Sequence, residues 1–185
     1  ISRILSPGVI WLTGVFVFSL KEIEPISIAL LQGLVVSTVS LFIPFFAMKI
    51  FNIEINSVRS INITKYQKNP ILFLSIILGL FVSWFIANEM HPKQLLLLTY
   101  FSIVGTLSLT IYIIRFIFSC SGHVAAISSL SCLLSSVFSI LLFYFFPFIF
   151  LLAYSRIKLK VHSPKEVIAG FLLGNIITFV FLIFY

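Results

Sequence analysis

Six apolar runs, Ile4–Leu20, Ile26–Ile50, Ile71–Ala87, Leu95–Ile117, Val124–Tyr154 and Val167–Tyr185, occupy most of this chain, with short polar breaks between them. Runs of this length suit a lipid bilayer, whose hydrocarbon core takes about 20 apolar residues per helical crossing. Backbone inside lipid has no water to bond, so each run is expected to be a helix that satisfies its own N–H and C=O groups. Of 185 residues, 61% are hydrophobic and 9% charged, against roughly 45–50% and 25% in soluble domains. A water-soluble surface cannot be assembled from that composition. The expected fold is all-α, a polytopic transmembrane bundle of about six helices, with residues 1–185 forming one integral membrane domain. No small-residue cleavage site follows the first run, which reads as a retained anchor and not a signal peptide.

The run Val124–Tyr154 carries no charge and is too long for one crossing. As a single helix it would measure about 46 Å at a rise of roughly 1.5 Å per residue, well beyond a core of about 30 Å. It is therefore expected to be a hairpin of two short helices, turning between Ser139 and Pro147. The segments Ile50–Asn69, Arg115–His123 and Ser155–Glu166 then emerge on one face, while Glu89 to Lys93 makes a tight turn on the other.

Charge follows the same division. Arg3, Lys49, Arg59, Lys65, Lys68, Arg115, Arg156, Lys158, Lys160 and Lys165 belong to the first face, and Lys21 and Lys93 to the opposite one. The positive-inside rule would make the basic face cytoplasmic; a funnel for a phosphate would use the same charges, and orientation stays open between these readings. The net charge of +7 in short interhelical loops suits anionic headgroups and phosphate-bearing lipids, with the bilayer as partner and no nucleic acid. Cys120 and Cys132 lack metal-ligand spacing and read as small buried hydrophobes. His91, beside Pro92 on the opposite side, receives no role.

Two segments carry chemistry. Cys120-Ser121-Gly122-His123 stands directly before an apolar run. Helices leave their first N–H groups without intrahelical acceptors, and the dipole adds positive potential there, so Ser121 and Gly122 offer a seat for an anion. His123 at that seat can give a proton to a leaving oxygen. The bland alternative is that Ser121 caps the helix and His123 sits at the interface. The second segment runs from Ser155-Arg156 to His162-Ser163-Pro164-Lys165-Glu166. Arg156 can fork two hydrogen bonds onto a phosphate, and His162 can attack phosphorus once Glu166 orients its ring. No metal or cofactor is needed for that step. Ser163-Pro164-Lys165-Glu166 is also a capping box with proline at the first helical position, which accounts for Glu166 without catalysis. Lys158 and Lys160 alternate with apolar neighbours and read as headgroup contacts.

Taken together, these residues resemble the type 2 phosphatidic acid phosphatase family, whose fold is a six-helix membrane bundle. Its second motif ends in Pro-Ser-Gly-His and its third reads Ser-Arg, five residues, His, three residues, Asp. Here they stand as Cys120-Ser121-Gly122-His123 and as Ser155-Arg156, five residues, His162, three residues, Glu166. The stretch from His162 to Gly174 is similar to the short bacterial branch, so the resemblance implies a multi-pass protein of the bacterial inner membrane. It covers roughly the last seventy residues. By motif position it implies His162 as nucleophile, forming a phosphohistidine, and His123 as the acid protonating the leaving group. Ser121, Gly122 and Arg156 would hold the phosphate oxygens, with no metal ion. Three positions depart from the pattern: Cys120 for proline, Glu166 for aspartate, and a first motif in which Asn62 and Asn69 stand where lysine and arginine are expected before Pro70. Lys65 and Lys68 are the nearest substitutes for that lost clamp.

The leading expectation is hydrolysis of a phosphomonoester or diphosphate on a membrane lipid such as phosphatidate, phosphatidylglycerol phosphate or a polyprenyl diphosphate. A non-catalytic relative that binds or moves phospholipid is the alternative supported by the altered first motif. A small transporter with His123 and His162 on its substrate path is a third. It gives no reason for Arg156 to stand six positions before His162. Oligomeric state is not legible from these residues.

Overall fold

The computed structural model describes residues 6–51, 70–138 and 142–184. They form α1 (Pro7–Glu22), α2 (Ile26–Ile50), α3 (Pro70–Met90), α4 (Leu95–Ile114), α5 (Gly122–Val137), α6 (Leu142–Lys158) and α7 (Pro164–Ile183), with no strand among them. Lys65 and Lys68 lie outside the described residues. The architecture among the described residues is all-α, as expected of long, uninterrupted apolar runs. Helices α2, α3, α4 and α7 are each long and apolar enough to cross a membrane. At 25, 21, 20 and 20 residues they span about 30 Å or more, the thickness of a hydrocarbon core.

Seven helices stand among the described residues, close to the expected count of about six: one for each of five apolar runs and two for Val124–Tyr154, which is broken as expected. Helix α5 ends at Val137, Phe138 is its C-cap, and α6 begins at Leu142. Pro147 lies inside α6, not at the turn. Polar residues also extend the helices beyond the apolar runs: Lys21 and Glu22 end α1, Glu89 lies in α3, and Arg156 and Lys158 occupy the last turn of α6. Glu22 is accommodated because its carboxylate accepts from the N–H groups of Leu96 (2.7 Å) and Leu97 (2.9 Å), the first turn of α4. That pairing meets both the unfilled donors and the dipole of a helix start.

The described residues gather into two compact units, Val15–Phe101, and Ile1–Gly14 with Ser102–Tyr185. In the first, α2 packs along α3. Gln32, Ser40 and Ser83 are buried while Phe42, Phe45, Phe81 and Phe85 are exposed. This inverts the soluble pattern and is what lipid-facing helices with small and polar residues at their contacts require. Ser83 donates to the Val36 carbonyl at 3.1 Å, and Gln32 to Gln94 at 2.6 Å. A Cβ on Gly79 would stand 2.9 Å from the Ser40 oxygen, so α3 reaches α2 this closely only with glycine there.

In the second unit α5 packs against both α6 and α7, most extensively against α7. Gly170, Gly174 and Thr178 make a one-per-turn line on α7. A Cβ on Gly170 would land on the Ser121 backbone, and one on Gly174 on the Ala125 oxygen and the Ser128 hydroxyl. One and two turns further along, Ser129 Oγ and Thr178 Oγ1 share a hydrogen bond of 2.7 Å. The spacing Gly170-Phe-Leu-Leu-Gly174 is the small-residue pattern that lets membrane helices meet backbone to backbone.

Candidate functional site

The close α5–α7 contact sets the start of α5 beside the start of α7. Ser121 donates its backbone N–H to the Glu166 carbonyl at 2.9 Å, joining the two motif segments directly. Ser121 occupies the N-cap position of α5 with extended backbone, yet its side chain makes no capping bond. Its Oγ is fully buried and has no hydrogen-bond partner. The capping reading of Ser121 therefore holds for its backbone position and not for its hydroxyl. Gly122 opens the helix, and a Cβ there would meet only Ile111 Cδ1 at 3.8 Å, so packing alone does not demand glycine at this position.

How Arg156 and His162 come together follows from the end of α6. Lys160 has φ of 54°, the left-handed conformation. Around it Val161 N–H donates to the Arg156 carbonyl (3.1 Å) and Lys160 N–H to that of Ile157 (2.9 Å), the paired bonds of a Schellman stop. The His162 N–H also points to the Arg156 carbonyl, at 3.4 Å. Reversal of the chain within five residues is thus what the Arg-to-His spacing encodes. Glycine is the usual residue at such a position, and lysine there costs about 1 kcal/mol or slightly more. Lys160→Gly removes that cost while adding freedom to the unfolded chain, so its expected effect is a gain of up to about 1 kcal/mol, with activity retained. Thermal unfolding in detergent measures it; a clear loss of stability would mean that the Lys160 side chain itself holds the turn.

Arg156 is buried, and its Nη2 contacts His123 Nε2. His162 is 8% exposed. Its Nδ1 lies 3.4 Å from Glu166 Oε2, and its Nε2 is buried with no hydrogen-bond partner. Glu166 Oε2 also accepts from Ser163 N–H at 2.7 Å, while Glu166 N–H reaches Ser163 Oγ at 3.4 Å. The capping box and the carboxylate–imidazole contact are therefore both present, made by the same oxygen. Burial pushes the His162 pKa below its ordinary value; Glu166 opposes that, and Arg156 adds to it. Burial, with the charge of Glu166 behind it, pushes the Cys120 thiol up to about 11, so this free, buried cysteine is an uncharged thiol.

His123, Arg156, His162, Glu166 and Ser121 thus belong to one cluster at one end of the second unit. Lys158 and Lys160 are exposed, with Lys158 Nζ 5.5 Å from the centre of the Tyr154 ring. What sequence reasoning missed is the scaffolding: Gly170 and Gly174, whose spacing was the available signal, and the left-handed Lys160, which left none. Comparison with known proteins yields no matching family model, no matching curated protein and no matching solved structure.

Proposed function

We propose that this chain is a membrane lipid phosphatase of the type 2 phosphatidic acid phosphatase kind, acting on a phosphomonoester or diphosphate of a lipid in the bacterial inner membrane. The observation that carries this reading is a buried imidazole, His162, with Nδ1 on a carboxylate and Nε2 without a hydrogen-bond partner. Buried polar atoms are nearly always satisfied, and two of the exceptions among the described residues, His162 Nε2 and Ser121 Oγ, belong to a cluster that holds a guanidinium and a second imidazole.

In the proposed reaction Glu166 holds the proton on His162 Nδ1, which leaves the Nε2 lone pair to attack phosphorus. The phosphorus–oxygen bond to the lipid breaks, and the leaving oxygen takes a proton from protonated His123. Water then attacks the phosphohistidine and gives a proton to His123, and phosphate departs. Arg156, the Ser121 hydroxyl and the first N–H groups of α5 meet the charge on the phosphate oxygens, preorganised donors that are worth most where water is excluded. The lipid's acyl chains stay among the exposed apolar side chains of the bundle.

Protein purified in detergent, with chelator present, is expected to release phosphate from phosphatidate, phosphatidylglycerol phosphate or a polyprenyl diphosphate. Silence on every lipid, with binding retained, would favour the phospholipid-binding reading that Asn62 and Asn69 suggest. The pH profile has a definite sign. The attacking group is neutral His162, whose proton affinity is lowered, so activity persists as pH falls through the ordinary histidine range near 6.5. The acid limb of kcat/KM, corrected for the substrate's own ionisation, lies below that point. Glu166→Gln removes the group that raises the His162 pKa, so the limb moves to still lower pH while the maximal rate drops. A limb above 6.5 in the wild type would contradict a buried, neutral nucleophile.

A further inference from the structure

From the Arg156–His123 contact we infer that Arg156 keeps His123 unprotonated while the site is empty, and that an arriving phosphate draws the guanidinium off Nε2 and lets His123 take up its catalytic proton. The inference rests on the phosphatase reading and adds a control step to it.

The argument is one of donors and acceptors. A guanidinium has five N–H donors and no acceptor, and stays charged at any pH a protein survives. Its contact with His123 Nε2 is therefore a hydrogen bond only if that nitrogen offers a lone pair. The neutral ring then carries its proton on Nδ1. A protonated His123 would set N–H against N–H and one cation against another. Yet the proposed chemistry needs His123 charged when the lipid oxygen leaves. Both statements hold together only if the contact is broken before the acid step.

The cluster supplies the means. A phosphate dianion accepts bidentate, charge-assisted bonds from arginine, stronger than one bond to a neutral imidazole. Two buried polar atoms without a hydrogen-bond partner, Ser121 Oγ and His162 Nε2, belong to the same cluster. Ser121 is the residue before Gly122–His123 at the start of α5. The charged and titratable groups gathered there are Arg156 from the last turn of α6, His162 from the turn that follows, and Glu166 from α7, which faces His162 through Oε2. Once Arg156 turns to the anion, His123 Nε2 binds one proton from solution, and the dianion offsets the new charge. That proton later leaves on the lipid alcohol. Linkage makes the coupling reciprocal: anion binding raises proton affinity at His123, and protonation raises anion affinity by the same factor.

The chain has three histidines, His91, His123 and His162, so protein with 15N-labelled histidine gives a readable nitrogen spectrum, assigned with single His→Gln variants. Orthovanadate serves as the phosphate probe, and phosphate release from lipid is measured on the same preparation. Without vanadate at neutral pH, His123 is expected to show a bare Nε2 and a protonated Nδ1; with vanadate it gains a proton on Nε2. In Arg156→Gln, His123 is expected to titrate without vanadate. An Nε2 already protonated in the empty wild type, or still bare with vanadate bound, overturns the inference while lipid turnover leaves the phosphatase reading standing. If neither His123 nor His162 responds to vanadate the inference falls, and the phosphatase reading falls with it should lipid turnover also be absent. A response without turnover keeps the hand-over and moves the chain to the binding class. The wild-type spectra decide the matter even if Arg156→Gln fails to fold.

Discussion

His162→Ala is expected to abolish phosphate release, lowering kcat by about a thousandfold or more, because the proposed route passes through a bond to its Nε2. His123→Gln is expected to be nearly as damaging on natural lipids, whose alkoxide leaving groups need a proton. The two losses have different chemistry, and this separates them. A phosphate ester with a weakly basic leaving group departs without a proton, so it is expected to restore the first half-reaction in His123→Gln, seen as a burst of leaving group, while hydrolysis of the phosphohistidine stays slow without the His123 base. It restores none in His162→Ala, where there is no atom to receive the phosphoryl group. Labelled substrate quenched at alkaline pH is expected to leave phosphate on the wild-type chain and none on His162→Ala. Retained turnover in His162→Ala would remove the covalent histidine from the mechanism. Folding of this variant can be checked separately, since the Ser121–Glu166 backbone bond and the α5–α7 contact do not use the imidazole.

Much of this fold was legible because lipid makes one demand of every segment. Helices α2 and α4 start where their apolar runs start, at Ile26 and Leu95. The break in Val124–Tyr154 followed from length alone, since one straight helix of that run would measure about 46 Å against a hydrocarbon core of about 30 Å. The window expected for its turn, Ser139 to Pro147, includes residues 139–141, which lie outside the described residues. Pro147 suggested a break, but it stands as the sixth residue of α6, where it forfeits one i→i−4 hydrogen bond without ending the helix. Some helix ends ran past the apolar runs where a charge found a partner. Glu22 is the clearest case, since only the fold reveals the two α4 amides that donate to its carboxylate.

The candidate site shows the same division. Capping-box spacing and the His162–Glu166 separation both follow from residue order, and one carboxylate oxygen meets both requirements. Glutamate in place of aspartate suits this double use, because the longer side chain reaches back to the Ser163 amide from the third helical position, as capping boxes require. The Ser121–Glu166 backbone bond leaves no trace in residue types. Nor does the reversal at Lys160, since a left-handed residue is ordinarily read from glycine or asparagine. The alternation Lys158-Leu159-Lys160-Val161 instead suggested headgroup contacts.

Gly174→Val is expected to be the most destabilising change in the second unit, by about 3 kcal/mol or more, the upper end of overpacking penalties. A Cβ at this position meets the Ala125 carbonyl oxygen and the Ser128 hydroxyl. Ser128 can rotate or be trimmed, whereas the carbonyl belongs to helix α5 and cannot yield without moving the helix. Gly174→Ala should therefore already be harmful, and Ser128→Ala should recover only part of the loss. The damage reaches the chemistry because α7 carries Glu166, whose carbonyl holds Ser121 and whose carboxylate faces His162. If α7 is pushed away from α5, activity is expected to fall together with the thermal midpoint, although Gly174 lies more than two turns from Glu166. Unfolding in detergent and phosphate release, measured on Gly174→Ala, Gly174→Val and the double variant with Ser128→Ala, test this directly. A wild-type midpoint and rate in Gly174→Val would mean that the two helices do not meet at this glycine, and the backbone contact that aligns the two motif segments would lose its support.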